Sequence, residues 1–362
     1  MLTRHLLHEI QPRLYSEQKS VQVSVLGANT RLGRYTSFLL KQNPLVSALH
    51  LQGCEHLPGL AADLNFCDTK CAVHAHSGDH NVSKAIKSAD IILFLPNEKP
   101  KEDVALGERV TSEGTRLYSY LKECTVYSPR AILVMCVPPV SITTPIATAV
   151  FKQSHFYHPG RIIGSTAFAQ VKANTLVGRY HDLDPRCCDV PLVGGPDIDL
   201  AVPLFSRARP VGVVGRGPQI LTAKFRGVNE EELLKCPGSQ KVVDNSQLAE
   251  SYALNMLVST IALGICGDPN ALANVYLRSN VLTTCRYLVN TVRFARGGVV
   301  HNYGVPELTK LELGLFERAV LEIKDRERMA REFVDHMENK DAGKGPPFTE
   351  KQQRALKEKL AK

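Results

Sequence analysis

The residues best placed to do chemistry lie in Val21–Lys41, VQVSVLGANTRLGRYTSFLLK. Gly27 and Gly33 bracket a turn between an alternating apolar run, Val21, Val23 and Val25, and a helical-period run, Leu32, Tyr35, Leu39 and Leu40. Strand, glycine turn and helix open a dinucleotide-binding βαβ unit. There the first glycine makes the tight turn, the second lets backbone touch a pyrophosphate, and the third lets helix and strand pack closely. Gly27 and Gly33 are therefore candidate cofactor-binding residues, but Thr30 holds the middle position and projects a side chain where phosphates would lie. The next strand, Ser47–Leu51, should end in a carboxylate for the ribose hydroxyls. It ends in Gln52-Gly53. Arg31 in the glycine turn could pair with a phosphate, and Gly53 is similar to the uncharged ending of some NADP-binding units.

Other reactive residue types carry less. His74 and His76 alternate onto one face of a strand, near Asp79 and His80, a pattern open to metal binding but equally usual at a polar strand end. No metal is expected. Ten cysteines are scattered without a CxxC pair, and the adjacent Cys187 and Cys188 suit neither a common disulfide loop nor a zinc site. They read as reduced thiols. The KDRER run at Lys324–Arg328 reads as a solvated helix face.

The elements that must position these residues follow in order. Helices are expected at Pro58–Leu64, Asn81–Lys87, Glu102–Lys122 and Thr144–Lys152, and strands at Cys71–Ala75, Ile91–Leu95 and Ala131–Cys136. Strands separated by helices imply a parallel, doubly wound Rossmann-type α/β sheet. From Ser165 the pattern becomes α+β. Helices are expected at Val171–His181, Glu231–Lys235, Ser246–Gly264 and Leu308–Met337. Short strands are expected at Val190–Val193, Val275–Leu277 and Val299–Tyr303, and Val211–Phe225 reads as β-like. The expected organisation is 1–20, 21–164, 165–337 and a basic tail, 338–362.

The 362 residues are 44% hydrophobic and 22% charged, enough for two domains with a substantial core. The net charge of +8 sits partly in the tail, and no aromatic-basic interleaving points to nucleic acid. The longest apolar run, Ala131–Val137, is far short of the roughly 20 residues needed to cross a bilayer. No membrane partner is expected. The first twenty residues carry Arg4 and Arg13, one helical apolar face (Leu2, Leu6, Leu7, Ile10) and a segment, Arg13–Ser16, similar to a processing site. That composition suits a transit peptide and a mitochondrial matrix location.

These residues together resemble the NAD-dependent malate dehydrogenases of mitochondrial and enterobacterial type, within the lactate/malate dehydrogenase superfamily. The likeness runs from about Val21 to Asp335. It is carried by VLGA and LG at Val25–Gly33, NPLVS at Asn43–Ser47, HLPGLAADL at His56–Leu64 and PIATAVFK at Pro145–Lys152. Further on it rests on KANTLVG at Lys172–Gly178, LDP at Leu183–Pro185 and VPLVGG at Val190–Gly195. The resemblance implies a lactate/malate-dehydrogenase-like C-terminal domain, NAD as cofactor, and a homodimer or a heterodimer with an active paralogue. PGLAADL and KANTLVG would then contribute to its interface.

Family chemistry requires a histidine base, an aspartate that orients it, three arginines that grip the substrate carboxylates, and an asparagine. At the matching positions this chain has Pro196 for the base, Ala169 for the aspartate, Lys172, Pro100 and Leu106 for the arginines, and Pro138 for the asparagine. Gly53 stands at the ribose carboxylate. The expectation is that no catalytic residue remains, that NAD binding is weak or lost, and that the chain is a malate-dehydrogenase-like pseudoenzyme with a structural or scaffolding role. The alternatives are an NAD(P)-dependent oxidoreductase acting on malate or another 2-hydroxy acid, and a nucleotide or metabolite sensor without turnover.

Overall fold

Val21–Leu26 (β1) is an apolar strand with Val21, Val23 and Val25 fully buried, as a strand covered on both faces must be. Gly27 then takes φ +92, and a Cβ there would lie 2.9 Å from the Leu95 carbonyl oxygen. Thr30 caps helix Arg31–Lys41 (α1), its Oγ1 accepting from the Gly33 N–H at 3.0 Å. A Cβ on Gly33 would lie 2.4 Å from the Gly27 carbonyl oxygen, so the third glycine of the turn does bring helix against strand. The computed structural model describes residues 19–54, 56–97, 106–154, 156–228 and 247–341.

The first half alternates as expected. It comprises Val46–Gly53 (β2), Leu57–Asn65 (α2), Ala72–Ser77 (β3), Val82–Ile86 (α3), Ile91–Phe94 (β4), Leu106–Tyr127 (α4), Ile132–Met135 (β5) and Val140–Gln153 (α5). Ile162–Ser165 (β6), which the sequence reading passed over, completes a six-stranded parallel array. Its order is β3-β2-β1-β4-β5-β6, with the topological reversal between β1 and β4. In open sheets of this kind ligands lie beyond the C-terminal strand ends at that reversal.

The second half comprises Ala167–His181 (α6), Leu192–Gly194 (β7), Ala201–Pro203 (β8), Gly217–Arg226 (α7), Gln247–Cys266 (α8), Leu272–Arg278 (β9), Tyr287–Ala295 (β10), Gly298–Asn302 (β11) and Lys310–Asp341 (α9). β9, β10 and β11 join β6 antiparallel, so one nine-stranded sheet passes through both domains. β7 and β8 form a separate hairpin. One hydrophobic core lies under α1 and α8, a second under α4, α5 and the end of α9, and a third fills the C-terminal domain. α8 is long and apolar enough to span a bilayer, yet Ala253, Leu254, Leu257, Val258, Ile261 and Ala262 are buried against the first core.

Several expectations are corrected. Val211–Phe225 is not β-like: its second half is α7, with Pro218 in the first turn and Gly227 at φ +72 ending it. β9 is longer than Val275–Leu277, and β10 was missed because Asn290, Thr291 and Arg293 interrupt its apolar run. α5 begins at Val140, four residues before Thr144. The last helix runs to Asp341, into the segment expected as tail. The expected helix Glu231–Lys235, residues 1–18, Pro100 and the tail from 342 lie outside the described residues.

Candidate functional site

At the C-terminal ends of β1, β2 and β3, the nucleotide end of the reversal, the glycine turn is closed on itself. Thr30 Oγ1 donates to the Gly27 carbonyl at 3.1 Å while accepting from Gly33. Beside it, Asn29 covers Gly53: a Cβ built on Gly53 would lie 2.4 Å from Asn29 Oδ1. The amide oxygen of Asn29 thus stands where the side chain of a β2-terminal acid would begin. On the other face, Gln52 donates through Nε2 to the Tyr120 hydroxyl at 3.2 Å, and that hydroxyl donates to Asp79 Oδ1 at 2.5 Å. Burial, reinforced by Asp79, pushes the Tyr120 hydroxyl up to about 12. Arg116 on α4 donates to the Leu95 carbonyl at 3.1 Å and to Glu113 at 2.6 Å, and lies over the Tyr120 ring. Four buried polar atoms here lack partners: Asn29 Oδ1, Gln52 Oε1, Ser77 Oγ and Arg116 Nε.

The residues present do not fit the ordinary way of holding an NAD ribose and pyrophosphate. Gly27 and Gly33 keep the turn and the close helix–strand contact, but Thr30 occupies the second glycine position and no carboxylate ends β2.

The second region is the loop between β7 and β8. Pro196 is buried there and has no group that can take a proton. Asp197 beside it is turned inward. It accepts from the backbone N–H groups of Val140 and Ser141 at 3.0 and 3.3 Å and from the Ser141 hydroxyl at 2.5 Å. This carboxylate at the first turn of α5 explains why that helix starts early. Arg326, from the middle of α9, donates to Asp197 at 2.9 Å, to Asp199 at 2.6 Å and to Glu322 at 3.3 Å, with only 8% of its side chain exposed. Burial works against the guanidinium, but Asp199 and Asp197 outweigh it and hold Arg326 above its ordinary value. Burial pushes the Asp197 carboxyl up, against Arg326 and the hydrogen bonds from Ser141 and Val140.

Ala169 is buried in the first turns of α6, and its neighbour Gln170 donates to Asn174 Oδ1 and to the Val190 carbonyl at 2.8 and 2.9 Å. Gln170 also accepts from Asn274 at 2.5 Å. Lys172 lies 5.6 Å over the Phe225 ring. Pro138, half-buried, precedes the α5 terminus that Asp197 caps. The Pro196 loop and the α5 terminus therefore meet, and what joins them is an ion-pair lock. Arg326 was read as part of a solvated face; burial is what the charge run could not reveal. His181 sits twelve residues beyond Ala169 on α6, about 18 Å along the helix.

The third region is the histidine face. His50 on β2 pairs in register with His74 on β3, and its Nδ1 lies 3.2 Å from His76 Nε2. The His50 and His74 rings stack at 5.1 Å. Among the described residues no group of three or more metal-ligating side chains is arranged to hold an ion. Burial, then His74 and His76, lower His50 to about 4, and burial, His74 and Lys84 lower His76. The sequence reading missed His50, although alternation with Leu49 and Leu51 already placed it on the opposite face from the core. The described cysteines, Cys187 and Cys188 included, are free thiols.

Fold and strand order are those of a doubly wound α/β domain joined to an α+β domain. The lactate/malate dehydrogenase NAD binding domain matches residues 21–164. Mitochondrial malate dehydrogenases of Rattus norvegicus and Homo sapiens are each 28% identical, over 322 and 319 residues, covering 89% and 88% of this chain and 94% and 93% of theirs. Among solved structures, the malate dehydrogenase from Aeropyrum pernix superposes with TM-score 0.68 at 14% identity, over 85% of this chain and 98% of that one. A lactate dehydrogenase from Cryptosporidium parvum, complexed with lactic acid and NAD, gives TM-score 0.68 at 14% identity over 86% and 98%. The chain is thus similar to the lactate/malate dehydrogenases over both halves, with residues 21–164 matching their NAD binding domain.

Proposed function

We propose that this chain is a catalytically silent member of its family, kept for structural or scaffolding work as a homo-oligomer or paired with an active relative in the mitochondrial matrix. The observation that carries the reading is the lock at the Pro196 loop. Hydride transfer between a 2-hydroxy acid and a nicotinamide needs a group that holds and releases the hydroxyl proton. Pro196 cannot, and Asp197 next to it is committed to two amides, a hydroxyl and a guanidinium. A positioned acid/base contributes roughly 10²- to 10⁴-fold. The orienting acid is replaced by buried Ala169, and a lysine at 172 supplies a point charge without the planar fork that grips a carboxylate.

Location is supported by the mitochondrial relatives, and association by an apolar stripe on α8. Leu248, Tyr252 and Met256 recur every four residues there, 66%, 40% and 48% exposed. The test is turnover by the purified full-length chain, with NADH and oxaloacetate in one direction and malate and NAD in the other. The expected result is no absorbance change above the enzyme-free rate; steady turnover proportional to protein concentration overturns the reading.

A further inference from the structure

We propose that Lys152, Arg278, Arg286, Lys324 and Arg331 together bind a short chain of linked phosphates, at the end of the sheet opposite the nucleotide crevice. Separate elements bring them together. Lys152 is in the last turn of α5, and its ammonium lies 5.6 Å over the Tyr157 ring. Arg278 ends β9, level with Ile162, the first residue of β6, since Leu277 pairs with Ile163. Arg286 stands just before β10, and its carbonyl accepts from the Ser279 N–H at 2.7 Å, one step across the hairpin from Arg278. Lys324 and Arg331 are on α9 with Glu327 between them, at the i, i+3, i+7 spacing of one helix face. Arg326 is two residues on from Lys324, roughly 200° round the helix, so the lock to Asp197 occupies the other face.

The charges here do not balance. The carboxylate facing this group is Glu327, 7% exposed and paired with Arg331. Among the described residues Lys152, Arg278, Arg286 and Lys324 make no ion pair. Burial first, then Arg278, Arg286 and Arg331, hold the Lys152 ammonium below its ordinary value, against the pull of Glu327. Burial pushes the Cys285 thiol up; Glu327 adds to this and Lys324 opposes it, which places both beside the hairpin. Uncompensated cations repel one another, and a multivalent anion removes that cost. A guanidinium fork meets phosphate oxygens two at a time. Lys324 and Arg331 are about 10 Å apart along the helix axis, a span that linked phosphates fill at close charge spacing. An extended acidic peptide presents side chains on one face only every second residue, roughly 7 Å apart, and so matches fewer of these cations.

These cations lie apart from the Pro196 loop and the glycine turn, so phosphate binding here does not depend on whether the chain is catalytically silent. Titration calorimetry of the full-length chain with sodium tripolyphosphate tests it. The expected result is saturable binding by wild type that weakens as salt is raised. Lys152→Gln combined with Arg286→Gln, both at exposed positions, should weaken binding about tenfold or more. Arg296→Gln removes another exposed charge at the far end of β10, roughly 30 Å from Arg286, and should leave the affinity unchanged. Wild type without saturable binding overturns the proposal, and so does a double variant that binds as tightly as wild type. Equal loss in Arg296→Gln also overturns it, because attraction to net charge alone would then account for the binding. A hexaglutamate peptide that binds as tightly as tripolyphosphate overturns it in favour of an acidic protein partner.

Discussion

Arg326 is the residue on which the C-terminal site turns. It ties α9 to the Pro196 loop and, through Asp197, to the start of α5. Removing one member of a buried ion pair leaves the other charge uncompensated, at a typical cost of 3–5 kcal/mol. Asp197 keeps three other donors, so Arg326→Met should lower unfolding free energy by about 3 kcal/mol, the low end of that range, in a urea titration. An unchanged midpoint would mean the lock contributes nothing. A second expectation concerns reversal. Pro196→His restores a ring at the base position without the orienting acid, which is Ala169, and without the arginine fork. Oxaloacetate reduction by this variant, followed by NADH absorbance, should stay at the enzyme-free rate. Detectable turnover would show that the surrounding residues still form a working site.

At the scale of elements, the β2–β3 edge carries the clearest dependence on pH. In the unfolded chain His50 takes its proton near the ordinary 6.5; folded, it does so at about 4, with burial as the main cause. A lowered folded value means that the unfolded state binds protons first on acidification. Stability is therefore full above about 6.5, falls as pH drops toward 4 and levels off below that. His76 shifts in the same direction. Discounted for solvent screening, the His50 contribution should be roughly 1–2 kcal/mol. Urea unfolding at pH 7 and pH 4.5 should show wild type losing that much more than His50→Gln; equal losses would remove His50 from the account.

Which elements the sequence disclosed follows from their surroundings. β1, β4 and β5 are buried on both faces, so their apolar runs stand out, and the turn at Gly27 and Gly33 is dictated by backbone contacts that only glycine tolerates. The residues standing at the positions that the resemblance assigns to catalysis could also be read off, because each sits inside a recognisable motif. The replacements' new partners were not. Asp197 and Arg326 lie 129 residues apart, and Asn29 reaches Gly53 from another strand's turn. α7 was misread because Val211, Val213 and Val214 suggest a strand just before Pro218 starts the helix.

For the whole molecule, association is the property the surface argues for most directly. α8 packs beside α1, joined to it by the Ser251–Leu32 hydrogen bond and, just past the end of α1, by Asn43 donating to Ser259, and α1 exposes Phe38 at 48%. A charge placed in the stripe should disfavour burial against a partner without disturbing the packed face. Tyr252→Asp should shift the chain toward monomer in sedimentation equilibrium while its melting curve stays cooperative. A species of the same mass for both proteins would show that the stripe is not an association surface.

The nine-stranded sheet also bears on how the chain emerges during synthesis. β6 is the edge of the parallel array until β9 pairs with it, and β9 is encoded about a hundred residues later. Over that interval a growing chain holds an apolar strand whose backbone groups have no neighbour on one side. Such an edge invites pairing with other chains. Ribosome-bound chains stopped between β6 and β9 should therefore aggregate more readily than chains stopped before β6 or after β9.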